Sequence, residues 1–350
     1  MKIAVIGTGR MGALHAEALA ALGLGGSLLL HDADPGAARR LAAQVGATVL
    51  PSAADAVAAA DAVVIATPAA RRLEALSAVV AAGKPAFCEK PLAADLEQAR
   101  ELAGLAERGD GRILMGFQRR FDPDYVMVHR LIAAGRVGRV LLVRATAYDH
   151  VPPDEVYQGS AGDIFTDCLI HDIDAVRWLT GQEVLAVQAD VDRILDEGPA
   201  SSREVDVATA VLTLEGGGRA VITGSRLDPR GYDHRLEVLG TRDSLAVGLT
   251  PATPLRPVST ARPPGGARSG TAAIGTAAIG TAPAWTGFLD RFAIAYRAEM
   301  RAFLRMAAEQ LPSPCGPGEA LRAQQIAAAA AESARSGQRV ETPVFSPLTV

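Results

Sequence analysis

Apolar and polar residues follow two different rhythms along this chain, and the rhythm changes near residue 118. Before that point, short apolar runs at 2–6, 28–30, 62–66, 86–88 and 113–117 read as strands. Between them, apolar positions recur at helical spacing over 11–22, 71–82 and 94–108. Strands alternating with helices predict a doubly wound parallel sheet covered on both faces. Beyond 118 the pattern predicts helices at 123–134 and 166–179 and strands at 140–148, 183–195, 205–214, 219–226 and 235–239. Consecutive strands with few helices between them predict a second, α+β domain with a large, mostly antiparallel open sheet. The expected α/β division is therefore 1–118 and 119–350. The stretch 250–284 carries six prolines and the pentapeptide Thr-Ala-Ala-Ile-Gly twice, and reads as a long surface loop, either disordered or a lid. Two Ala-rich helices, at 285–311 and 317–335, close the chain.

Composition narrows the functional classes. With 350 residues, 49% of them hydrophobic and 21% charged, the chain has the make-up of a two-domain globular protein. A net charge of −4 offers no basic face for nucleic acid or an anionic membrane. No apolar run reaches membrane-spanning length. The N-terminus enters a strand directly and does not read as a signal peptide. Cys88, Cys168 and Cys315 form an odd set that fits neither a zinc pattern nor a disulfide framework. Free thiols in a reducing cytoplasm, with no metal, are the expectation.

The first strand runs into Gly7-Thr8-Gly9-Arg10-Met11-Gly12, which opens a helix. Asp32 lies 20 residues past Gly12, at the end of the next strand. In that context the glycine spacing is a dinucleotide fingerprint of the Rossmann type. Gly7 permits the tight turn, Gly9 lets a pyrophosphate approach the backbone, and Gly12 lets helix and strand pack closely. The helix N-terminus supplies amide donors and positive potential. Asp32 would accept from the adenosine ribose and repel a 2′-phosphate, which favours NAD over NADP. Arg39 and Arg40 read as a solvated helix face.

Two further segments carry candidate chemistry. Cys88-Glu89-Lys90-Pro91 ends a predicted strand, and ligands of open α/β sheets bind at the carboxyl ends of strands. Lys90 is thereby placed near a nicotinamide, and the bond before Pro91 is a candidate cis peptide. In the segment 167–174, Asp167 and His171 stand four residues apart on one predicted helix face. A carboxylate there could orient the imidazole and stabilise its protonated form, as proton-transfer pairs do. Asp174, on the same face, is expected to be structural, bonded to Arg177 or a loop.

These segments together resemble the glucose–fructose oxidoreductase/inositol dehydrogenase/MocA family of NAD(P)-dependent oxidoreductases. The resembling residues are the glycine turn with His15, Glu89-Lys90-Pro91, and 167–174 followed by Trp178-Leu179-Thr180-Gly181. Residues 116–122, Gly231-Tyr232-Asp233 and 285–303 are most similar to the inositol 2-dehydrogenases within it. The resemblance implies that Lys90 polarises a reacting hydroxyl, His171 takes its proton and Asp167 supports His171. It implies that Thr67, Pro68 and Glu89 line the NAD site with Gly7, Gly9, Arg10, Met11, Gly12 and Asp32. Arg120, His150 and Tyr232 are implied to face substrate. Arg72 departs from the family, which often has histidine there. The implied activity is oxidation of a ring hydroxyl of a cyclitol by NAD in a homotetramer. A sugar dehydrogenase with the same trio and a non-catalytic nucleotide-binding regulator stand as the alternatives.

Overall fold

The structure, a computed structural model, describes residues 1–108, 112–152, 162–194, 205–256 and 279–343. Its first half contains β1 (Ile3–Ile6), α1 (Arg10–Leu19), β2 (Leu28–His31), α2 (Pro35–Val45) and β3 (Thr48–Val49). It continues with α3 (Ala53–Ala59), β4 (Ala62–Ile65), α4 (Arg72–Ala81), β5 (Ala86–Glu89), α5 (Leu96–Arg108) and β6 (Ile113–Gly116). The strands form one parallel sheet in the order β3-β2-β1-β4-β5-β6. Every residue of β1, β4, β5 and β6 is buried, because helices cover both faces. The order reverses between β2-β1 and β4, which makes the crevice above β1 and β4 the switch point where ligands of such sheets bind.

Helices α2 and α3 and strand β3 fall in a stretch that the apolar rhythm left unassigned. Their large apolar residues are few, and caps mark them instead. Asp34 accepts from Gly36 N at 2.8 Å and Ser52 from Asp55 N at 3.0 Å, each closing an orphan donor of a first turn.

The second half is built on a seven-stranded sheet: β7 (Val140–Tyr148), β8 (Val184–Asp192), β9 (Val207–Leu214), β10 (Arg219–Ser225), β11 (Asp233–Gly240), β12 (Ser244–Val247) and β13 (Val340–Glu341). The order is β12-β11-β7-β10-β9-β8-β13, with only β7 and β10 parallel. Along β9, Ala208, Ala210, Leu212 and Leu214 are buried while their neighbours are not, as expected when one face is packed and the other open. The packed face meets α7 (Ile170–Thr180) and α10 (Pro317–Ser336). A second short helix, α6 (Pro123–Ala133), lies against α7. The single helix expected at 285–311 is broken at the buried Phe292 into α8 (Phe288–Arg291) and α9 (Ala293–Glu309).

The C-terminal segment returns to the first half. Met115 N donates to Cys315 O at 2.8 Å and Gln324 Nε2 to Ala93 O at 2.9 Å, and α10 packs on α5. A boundary at 118 therefore describes chain order more than contact. The ends of the predicted 250–284 loop are irregular and meet through Ala282 N and Pro251 O, 2.9 Å apart. Residues 257–278, including most of the repeat, lie outside the described residues. Among the described residues, no helix is long and apolar enough to cross a membrane and no side-chain cluster could hold a metal ion.

Candidate active site

The glycine turn sits above the switch point, and each glycine there has a steric reason. Gly7 has φ +89°, and a Cβ on it would lie 2.8 Å from the Ala66 carbonyl carbon at the end of β4. A Cβ on Gly12 would stand 1.8 Å from the Gly7 carbonyl oxygen. Gly9 has open space where its Cβ would be, and as N-cap of α1 it offers no side chain to the first-turn amides. An uncapped helix start beneath an open backbone approach fits a pyrophosphate. Arg10 and Met11 follow in the first turn.

Asp32 closes the other side of the turn. It accepts from Thr8 Oγ1 at 3.0 Å and from Asp34 N at 2.8 Å, with Thr8 N as a third donor. Burial opposes its charge, but those hydrogen bonds outweigh it and hold the carboxyl below the ordinary range. The group thus presents a fixed negative charge beside the glycine turn. Arg39 and Arg40 are exposed, with Arg40 leaning toward Asp34 at 3.6 Å.

At the end of β5, Glu89 meets His15 Nε2 at 2.7 Å. Burial raises the Glu89 carboxyl, but the hydrogen bond and charge of His15, then Arg72 and Lys90, pull it below the usual value. Arg72 is itself buried and donates from Nε to Thr67 O at 3.1 Å. The Thr67 hydroxyl beside it is buried without a protein partner, while Pro68 is exposed. The Lys90–Pro91 bond is cis. Lys90 crosses to the second half: its Nζ donates to Asp167 O at 2.6 Å and lies 3.4 Å from Asp167 Oδ1.

Lys90, Asp167 and His171 come together, but not in the predicted pairing. Residues Phe165–Leu169 form a π-turn before α7 rather than the first turn of a regular α-helix. The Asp167 oxygens are engaged by Lys90 on one side and by Arg226 Nη2, 3.1 Å away, on the other. The imidazole of His171 does not receive that carboxylate, and its Nδ1 is buried without a hydrogen-bond partner. Burial holds the ring well below the usual histidine range, and Lys90, Arg119 and His234 push in the same direction. The expected carboxylate-stabilised imidazolium is thus corrected to a neutral imidazole beside an ammonium.

The residues implied to face substrate divide in the same way. Tyr232 is buried, stacked on His234 at 4.1 Å, with its backbone N donating to Trp285 O at 2.7 Å. Burial first, then the charge of Asp149, holds its phenol well above the usual range and therefore neutral. His150 is half-buried and donates from Nδ1 to Asp228 O at 3.0 Å, since a carbonyl can only accept. Arg120 is a correction. Its fork is spent on Asp174, at 2.8 and 2.6 Å, and on Glu319 at 3.0 Å, so a structural ion pair replaces the expected contact with substrate. Asp174 is structural, as expected, but its partner is Arg120; Arg177 pairs with Glu183 and Glu319 instead.

Two arginines of the site were not among the residues expected there from the sequence. Arg226, just past β10, donates to Asp149 Oδ2 at 3.2 Å as well as to Asp167. Arg119 donates to His234 Nδ1 at 2.7 Å and to Asp172. Arg119 lies in the resembling segment 116–122 and Arg226 in none, and the partners of both are remote in the chain.

Comparison with known proteins agrees with this architecture. Residues 1–117 match the profile of an oxidoreductase family with an NAD-binding Rossmann fold, and residues 125–246 match the GFO/IDH/MocA C-terminal domain. The chain is 39% identical to the myo-inositol dehydrogenase Hyg17 of Streptomyces leeuwenhoekii, over 96% of this chain and 98% of that one. It is 32% identical to an inositol 2-dehydrogenase of Rhizobium meliloti, over 87% and 88% of the two chains. Among solved structures, it superposes on a myo-inositol dehydrogenase from Lactobacillus casei in complex with NAD(H) and myo-inositol. That match has a TM-score of 0.82 and 25% identity, covering 100% of this chain and 98% of the other. The chain belongs to the GFO/IDH/MocA family of oxidoreductases.

Proposed function

We propose that the protein is an NAD-dependent dehydrogenase that oxidises a ring hydroxyl of a cyclitol such as myo-inositol. The reading rests on the kinship with inositol dehydrogenases and on one arrangement: the Lys90 ammonium, held on Asp167, lies beside a neutral His171 at the carboxyl ends of the strands. Gly7, Gly9 and Gly12 with the start of α1 would hold the NAD pyrophosphate, and Asp32 the adenosine ribose. NAD, when bound, accepts a hydride from the carbinol carbon. Lys90 donates to the reacting oxygen and polarises it. A neutral imidazole has a free lone pair, so His171 can take the hydroxyl proton as negative charge develops on that oxygen. Asp167 fixes the Lys90 ammonium rather than the imidazole. The Tyr232 phenol and the His150 ring offer hydrogen-bonding groups to an uncharged polyol. The open face of the second sheet suits a homotetramer, and three free cysteines suit a reducing cytoplasm.

The test is absorbance at the NADH band on mixing the protein with NAD or NADP and a panel of cyclitols, aldoses and deoxysugars. Turnover of a cyclitol with NAD is expected. Turnover confined to aldoses or deoxysugars would move the substrate class. NAD binding without turnover on any member would overturn the enzymatic reading.

A further inference from the structure

Four charged side chains stand in a row at the mouth of the second sheet. Lys90 lies on Asp167, Asp167 on Arg226, and Arg226 on Asp149. Arg226 follows β10 directly and Asp149 follows β7 directly, and these are the two parallel neighbours of the sheet. Asp149 N donates to Ser225 O at 2.9 Å and Arg226 N to Asp206 O at 2.8 Å, so the backbones of both residues are anchored. The guanidinium reaches Asp149 with Nη1 and Asp167 with Nη2, and it is 3% exposed. A planar fork can serve two carboxylates in fixed directions, which a lysine ammonium on a flexible stem does poorly.

We propose that Arg226 is a positioning residue of the hydride-transfer site: it draws one oxygen of Asp167 toward the sheet, leaving the other turned to Lys90, and it is itself anchored on its far side by Asp149. The inference rests on the function proposed above and deepens it. Asp167 is nearly buried, and a buried carboxylate shared by two cations cannot swing to either without stranding the other. Burial raises the Asp149 carboxyl, and the charge and hydrogen bond of Arg226 are the first forces that oppose it. Among the described residues, the groups that bear on Lys90 include Glu89 at the end of β5, Asp149 after β7, Asp167 and His171 from the π-turn and α7, and through Asp167 the Arg226 fork. Loss of that fixed positive charge lets the whole row hold its protons to higher pH.

The experiment compares Arg226→Met and Arg226→Lys with wild type by steady-state kinetics across pH, by NAD titration without substrate, and by competitive acylation of Lys90 across pH read by mass spectrometry. The Met variant should lose about 100-fold in kcat, as small misplacements of reacting groups do. Its acid limb and its Lys90 acylation curve should both move up by about one pH unit. NAD affinity should stay within twofold. The Lys variant keeps the charge but not the fork, so its acylation curve should stay near wild type while kcat falls. A Met variant with wild-type kcat, or with an unmoved acylation curve, overturns the assignment. Should the Met variant fail to fold, wild-type kcat in the Lys variant overturns it. The acylation curves need no turnover, so a wild type inactive on every polyol sinks the function reading while those curves still judge Arg226.

Discussion

The proposed nucleotide half of the site centres on six consecutive residues, Gly7 to Gly12, and offers backbone: a left-handed turn, an open approach and an uncapped helix start. The chemical half is made by side chains from four separate segments, whose bonded partners lie 59 and 77 residues apart in the chain. The first half should tolerate side-chain variation and fail when a Cβ intrudes on Gly7 or Gly12. The second tolerates little at its charged groups and fails when one partner of a buried pair is removed. The two should therefore come apart under substitution.

The widest separation should come from Lys90→Ala. Turnover should fall by roughly 10²–10⁴-fold, the scale of a positioned proton-transfer group, with NAD affinity unchanged. Near-native kcat would remove Lys90 from the chemistry. Next is Arg120→Met, which strands the buried Asp174 carboxylate. Chemical denaturation should show a loss of about 3–5 kcal/mol with KM for the polyol little altered. A raised KM at unchanged stability would return Arg120 to the substrate site. Smaller still is Gly12→Ala, whose methyl meets the Gly7 carbonyl oxygen. Overpacking of this kind costs about 1–3 kcal/mol, and NAD binding should weaken while Lys90 acylation is unchanged.

The smallest effect is a slope. His171 is held neutral by burial, so the unfolded chain binds the proton first as pH falls through the ordinary histidine value. His171 therefore lowers stability below about pH 6.5, by up to about 1.4 kcal/mol per pH unit, and contributes no such loss above it. Thermal melts of His171→Asn between pH 7 and 5 should show a shallower fall than wild type. An equal or steeper fall would mean that the imidazole is charged in the folded protein.

Several parts of this architecture were legible in the chain because they are local. A strand, three glycines, a helix and an acid 20 residues on need only backbone geometry to be read. Five of the seven strands of the second sheet were legible as strand-like stretches, whereas the short edge strands β12 and β13 were not. Helices α2 and α3 were not legible by apolar rhythm, because alanine supplies little contrast and only Asp34 and Ser52 marked their starts. The Asp167/His171 pair was misread because an i, i+4 rule assumes that nothing else competes for the carboxylate. In the fold, Lys90 and Arg226 arrive from other strands and win it.

Arg119 and Arg120 draw the line most clearly. They are neighbours of one residue type on a single 3₁₀ turn, Gln118–Phe121, and nothing in the sequence tells them apart. One is directed to Asp172 and His234 beside the catalytic cluster, the other to Asp174 and Glu319 in a structural pair. The chain by itself determined that its first half is an NAD-binding Rossmann domain, because the glycine turn and the acid that mark it lie within one βαβ unit. Which charged groups gather at the candidate site and which pair elsewhere was decided only by tertiary structure. Coulombic and hydrogen-bond energies fall off over a few ångströms, and distances that short between remote segments exist only once the sheets have packed.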